Sequence, residues 1–171
     1  MDAWTQAGLL ALIAATTATD LIYRRIPNVI TVTGALVGLF LAMRSGGPQA
    51  LLVALAGLGV ALLILGPLYL LKLFGAGDVK LAAAIGTFVG PHEIISVLLA
   101  TAIAGGVIAA AIALDRGLIR HLVGSLRLMA SGAWQGIAPH RRTLPASTTA
   151  MPYGPCLAIG CLWWLFTHHP P

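Results

Sequence analysis

The chain has 171 residues, of which 58% are hydrophobic and only 9% charged, with a formal net charge of +5. A soluble domain carries about 25% charged residues. This composition excludes an ordinary water-soluble domain and predicts an all-α, polytopic membrane protein forming one domain over 1–171.

Apolar stretches fall at 4–23, 28–43, 50–71, 79–90, 94–114 and 151–167. A helix crossing the hydrocarbon needs roughly 20 residues. The first, third and fifth stretches meet this comfortably and the sixth just does. The second and fourth are short, which suits thin, tilted or shielded helices. The expectation is about six transmembrane helices.

The N-terminus opens "MDAWTQ", without the basic region of a cleavable signal peptide, and Arg24 and Arg25 follow the first apolar stretch. That order anchors the first span with its N-terminus outside. Six alternating crossings then put Arg24, Arg25, Lys72, Lys80, Arg116, Arg120, Arg127, Arg141 and Arg142 inside, and only Arg44 outside. The bias follows the positive-inside rule. Net charge thus reflects topology and anionic membrane lipids, and nucleic acid is not needed as a partner.

Between spans five and six lies the one long polar segment, 115–150. Its start, "DRGLIRHLVGSLRLMA", places Leu118, Leu122, Leu126 and Met129 on one side and Arg116, Arg120 and Arg127 on another. This predicts a basic amphipathic helix on the inner leaflet. The rest, "SGAWQGIAPHRRTLPASTTA", is rich in turn-formers and reads as an irregular loop. Cys156 and Cys161 have no metal-type spacing and read as buried structural thiols. Trp163 and Trp164 suit an outer interfacial belt.

Five acids remain to be sorted. Asp2 and Glu93 fall outside, whereas Asp20, Asp78 and Asp115 return to the inner boundary. Asp115 opens the basic segment and can pair there in water. Asp20 lies within an apolar stretch, and Asp78 follows Gly75 and Gly77, which permit a bend and a close helix approach. Ionisable groups at membrane depth are costly and mark functional sites by default. Local roles compete: Asp78 also suits a helix N-cap, and Asp20 an interfacial pair with Arg24. Two carboxyls that approach closely can share a proton, one activating water and the other polarising a peptide carbonyl. That chemistry needs no metal and no cofactor.

Other chemistries fit less well. "HEIIS" (92–96) lacks the second histidine of a zinc-hydrolase motif, and there is no GxSxG elbow. "GAGDVK" has Lys80 where a dinucleotide fingerprint needs glycine. Lys80 reads as interfacial, or as a residue tuning the nearby acid.

The stretches "DLIYRRIPN" (20–28), "GAGDVKL" (75–81) and "MPYGP" (151–155) together resemble the type IV prepilin peptidases, membrane aspartic proteases with a GxGD motif. The resemblance covers essentially the whole chain. It implies Asp20 and Asp78 as the catalytic pair, and cleavage of the basic leader from pilin precursors at the cytoplasmic face of the bacterial inner membrane. The partners implied are a prepilin with a basic leader and apolar helix, and membrane lipid. Larger members carry an insert with two CxxC pairs and methylate the new terminus. This chain has no CxxC, so it is similar to the short, peptidase-only form of tight-adherence or Flp-type pili, and methyltransferase activity is unsupported. Ile26, Pro27 and Asn28 are expected to shape a turn beside Asp20, and Gly75 and Gly77 to let the Asp78 loop move. Pro152 and Pro155 are expected to leave unpaired carbonyls or a kink in span six. The other classes considered are a non-enzymatic membrane assembly subunit and a small proton-coupled carrier using the same acids. Neither the pilin processed nor the oligomeric state is encoded in these features.

Overall fold

The computed structural model describes residues 2–23, 27–71, 74–115 and 153–168. These form five helices: α1 (Ala3–Tyr23), α2 (Asn28–Leu70), α3 (Ala76–Val89), α4 (Pro91–Asp115) and α5 (Tyr153–His168). Residues 1–104 and 152–171 make one compact unit. A second unit, 105–151, is described only as the last turns of α4. The amphipathic segment expected after Asp115 lies outside the described residues.

The largest departure from a row of separate spans is α2, a 43-residue element. Straight, it would extend about 64 Å at 1.5 Å per residue, twice the roughly 30 Å hydrocarbon core. It is not straight. Gly46 (φ −140°, ψ 15°) and Gly47 (φ 65°, ψ −153°) are non-helical, and Pro48 follows. Glycine is needed at Gly47 because side-chain-bearing residues avoid that region.

Contacts with α3 show what the break does. Before it, Asn28 meets Lys80 and Gly38 meets Thr87 and Phe88. After it, Val53 meets Gly90 and Gly57 meets Gly86. The first limb therefore runs parallel to α3 and the second antiparallel, so α2 doubles back. The stretches 28–43 and 50–71 expected as separate spans are its two limbs.

Helix α1 runs antiparallel to the first limb. Leu12 fills the space over Gly34, and Gly8 lies against Leu41 and Phe88. At the opposite end of the same helices are Asp20, Asn28, Asp78 and Lys80. Helices α4 and α5 are also antiparallel, with Glu93 bonded to Trp164 and Thr101 against Gly160.

Helix α3 is the centre. Val79 and every residue from Leu81 to Phe88 are buried. The run Ala82-Ala83-Ala84 and Gly86 keep its surface low, so the limbs of α2 approach closely. In lipid, where solvent gives little drive for apolar helices to associate, such close van der Waals packing carries much of the association. The outer faces are apolar instead: Phe40, Leu52, Leu63 and Ile103 are all exposed. Apolar residues exposed this widely fit a lipid exterior.

By length and composition, α1, α2 and α4 are able to cross a membrane. The expected count of six spans is not reached on that measure. Helix α3, at 14 residues, is about 21 Å long, and the apolar part of α5 covers only Pro155–Thr167. Burial explains how α3 can be short, since its neighbours shield it.

Candidate active site

Asp20 lies on the buried stripe of α1, which runs Leu9, Leu12, Ile13, Thr16, Asp20. Apart from the adjacent pair Leu12 and Ile13, successive members are three or four residues apart, so they share one helix face. Apolar at one end, that stripe becomes polar at the other and ends in a carboxyl only 7% exposed. Thr16 satisfies its own hydroxyl by donating to the carbonyls of Leu12 and Ile13.

Asp78 lies in the first turn of α3. The helix starts earlier than an aspartate cap would require: Gly75 is the N-cap, with extended backbone (φ −76°, ψ 148°). Asp78 is therefore the third helical residue and not the cap. Its carboxylate turns back toward the Gly75 backbone N–H, which interacts with it. That is the acidic half of a capping box, shortened by one carbon.

The two acids interact electrostatically across the helix interface. Both also act on the thiol of Cys156 in α5, a residue 2% exposed. Three helices thus converge on one polar spot, where Asp20 and Cys156 are buried and Asp78 is half-buried.

The remaining expected site residues divide. Asn28 and Lys80 meet, the Lys80 ammonium donating to Asn28 Oδ1 at 3.0 Å. Pro27 is the N-cap of α2 (φ −63°, ψ 132°), so it shapes the entry to that helix. Gly75 acts through space, not through an unusual backbone: a Cβ there would come within 2.9 Å of Asp78 Oδ2. Gly77 is inside the first turn of α3, so it does not supply a mobile loop ahead of Asp78. Pro155 falls in the first turn of α5, where N–H groups have no intrahelical acceptor and proline disturbs little. The kink expected from it is not required. Ile26 and Pro152 lie outside the described residues.

Two further readings change. Trp164 is buried and donates its indole N–H to Glu93, so of the expected belt only Trp163 faces outward. Cys156 and Cys161 are buried, as anticipated, and neither is in a disulfide, yet Cys156 lies within electrostatic reach of the acids, which its sequence context did not signal. Among the described residues no cluster of histidine, cysteine, aspartate and glutamate is suited to hold a metal ion.

A helical bundle with an apolar exterior and two carboxyls close enough to interact at one end has the character of a membrane protein. The model of the type IV leader peptidase family matches residues 7–110, which include both acids, and the chain belongs to that family. No curated protein and no solved structure matches it significantly.

Proposed function

We propose that the chain is an aspartic endopeptidase that removes the basic leader from Flp-like type IV prepilins at the cytoplasmic face of the bacterial inner membrane. The observation that carries this reading is that Asp20 and Asp78, on separate helices, lie at one end of the bundle near enough for the charge of one to act on the other. With one carboxyl ionised and the other protonated, the first takes a proton from water as that water attacks the scissile carbonyl. The second donates a proton to the carbonyl oxygen, and then the pair returns a proton to the leaving amine. No metal or cofactor takes part.

Substrate architecture supports the placement. A prepilin couples a basic leader to an apolar helix, so its scissile bond sits near the membrane boundary, the level proposed for Asp20 and Asp78. Six passes with the N-terminus outside, counting both limbs of α2, bring both acids to the cytoplasmic side in accord with the basic residues there. A peptide bond within a helix is shielded, and glycine at the cut favours the extended form that attack requires.

The test is cleavage of a synthetic prepilin segment (basic leader, glycine, apolar helix) in detergent by wild type, Asp20→Asn and Asp78→Asn. Each variant should lose at least about 10²-fold in rate, the lower end of general acid–base contributions. Asp115→Asn should cut normally. Retained cutting in either of the first two sinks the paired-acid mechanism.

A further inference from the structure

The first turn of α3 carries Asp78 and is held locally by that carboxylate's interaction with the Gly75 N–H. Its N-cap, Gly75, makes no side-chain cap hydrogen bond, and Gly77 within the turn adds conformational freedom that weakens a helix. Tight burial begins only at Val79 and Leu81. A carboxyl acting with a partner on another helix needs a fixed place, because small misplacements are costly to catalysis.

A side-chain hydrogen bond reaches this end of α3 from another helix. Lys80 Nζ donates to Asn28 Oδ1 at 3.0 Å, across 52 residues of sequence. Residues two apart in a helix do not face each other, so Lys80 holds the turn from a side that Asp78 does not occupy. Asn28 is the first residue of α2, and its carbonyl accepts from Thr31 Oγ1 at 3.0 Å, which anchors it in its own helix. A cation in the N-terminal part of a helix opposes the macrodipole. An unopposed lysine would be a poor choice there, and the Asn28 acceptor offsets that.

We propose that Lys80 and Asn28 form a clamp that sets the rotation of α3's first turn against α2, and so the position of Asp78 relative to Asp20. Both are positioning residues, and the inference rests on the peptidase reading above.

The test combines kinetics with a distance measurement. Lys80→Met, Asn28→Leu, their double variant and Lys80→Arg are assayed on the same synthetic segment, with thermal melting followed by circular dichroism. Each single variant should lower kcat about tenfold, well within the losses caused by misplacement, leaving KM and melting nearly unchanged. The double variant should be no slower than the worse single, and Lys80→Arg should recover most of kcat. Wild-type kcat in both singles, a double variant equal to the product of the singles, or an effect on KM alone overturns the clamp. Independently of cleavage, spin labels at Leu21→Cys and Ala76→Cys, with Cys156 and Cys161 replaced by alanine, report the spacing of α1 and α3. Lys80→Met should broaden that distribution, and an unchanged width also overturns the clamp. A wild-type chain that cuts nothing defeats the peptidase reading alone, since the label distances still judge the clamp.

Discussion

Gly57 in the returning limb of α2 and Gly86 in α3 touch backbone to backbone. A Cβ on Gly57 would overlap the Gly86 carbonyl, and a Cβ on Gly86 would overlap the Gly57 carbonyl in turn. The neighbour in each case is main chain, which cannot swing aside as a side chain can. Helix α3 packs between the two limbs of α2, so this contact governs how firmly the helix bearing Asp78 is seated. Gly57→Ala and Gly86→Ala should each destabilise by about 1–3 kcal/mol, the usual cost of overpacking. Gly59→Ala, which meets nothing within 4 Å, should be close to neutral. Melting of the three variants in one detergent checks this, and equal melting temperatures would refute the packing argument.

The reversal at Gly47 gives a second prediction. Its φ of 65° with ψ of −153° is a conformation in which a Cβ is strained, although the space beside it is open. Gly47→Ala should therefore cost about 1–3 kcal/mol through backbone strain alone. Gly66→Ala, at an open position of the same helix without positive φ, is the control and should be neutral or slightly stabilising. A tolerated Gly47→Ala would mean that the limbs of α2 reverse by another geometry.

How far these features can be read in advance depends on how local their causes are. Asp20 is conspicuous because its own helix announces it: an acid ends a stripe of Leu9, Leu12 and Ile13 at helical spacing. The turn in α2 shows as Arg44-Ser45-Gly46-Gly47-Pro48 between two apolar runs. Asp78 looks like a cap because glycine and alanine ahead of it give no start signal, and so the helix begins earlier than aspartate suggests. Trp163 and Trp164 are adjacent, hence about 100° apart on a helix, and both cannot face lipid equally. Which one turns inward is decided by Glu93, 71 positions away. The meeting of Lys80 with Asn28 and the place of Cys156 are likewise products of tertiary packing, with no local pattern to betray them.

Gly75→Ala should separate activity from stability. The backbone at Gly75 is extended, so alanine fits the dihedral angles, and the change at an N-cap costs on the order of 1 kcal/mol. Its Cβ, however, would lie 2.9 Å from Asp78 Oδ2 and push the carboxylate aside. The expected result is at least about a tenfold loss of kcat, since small displacements of a reacting group are costly, with only a small drop in melting temperature. Full activity would show that the carboxylate adopts its working position elsewhere.

Cys156 offers the last test. Its side chain is buried on α5 and feels both acids, yet the proposed chemistry gives the thiol no part. Volume should therefore matter at this position, and nucleophilicity should not. Cys156→Ala removes one heavy atom and the thiol together, and should retain cutting within a few-fold while costing about 1–2 kcal/mol in stability from lost packing. Cys156→Phe adds bulk to a filled interior, which packed interiors accommodate only by shifting neighbours. It should press on the pair and lower kcat at least about tenfold. Initial rates and melting curves of the two variants decide the matter. If the alanine variant is dead while still folded, the thiol takes part in the reaction, and a mechanism using the two carboxyls alone is wrong.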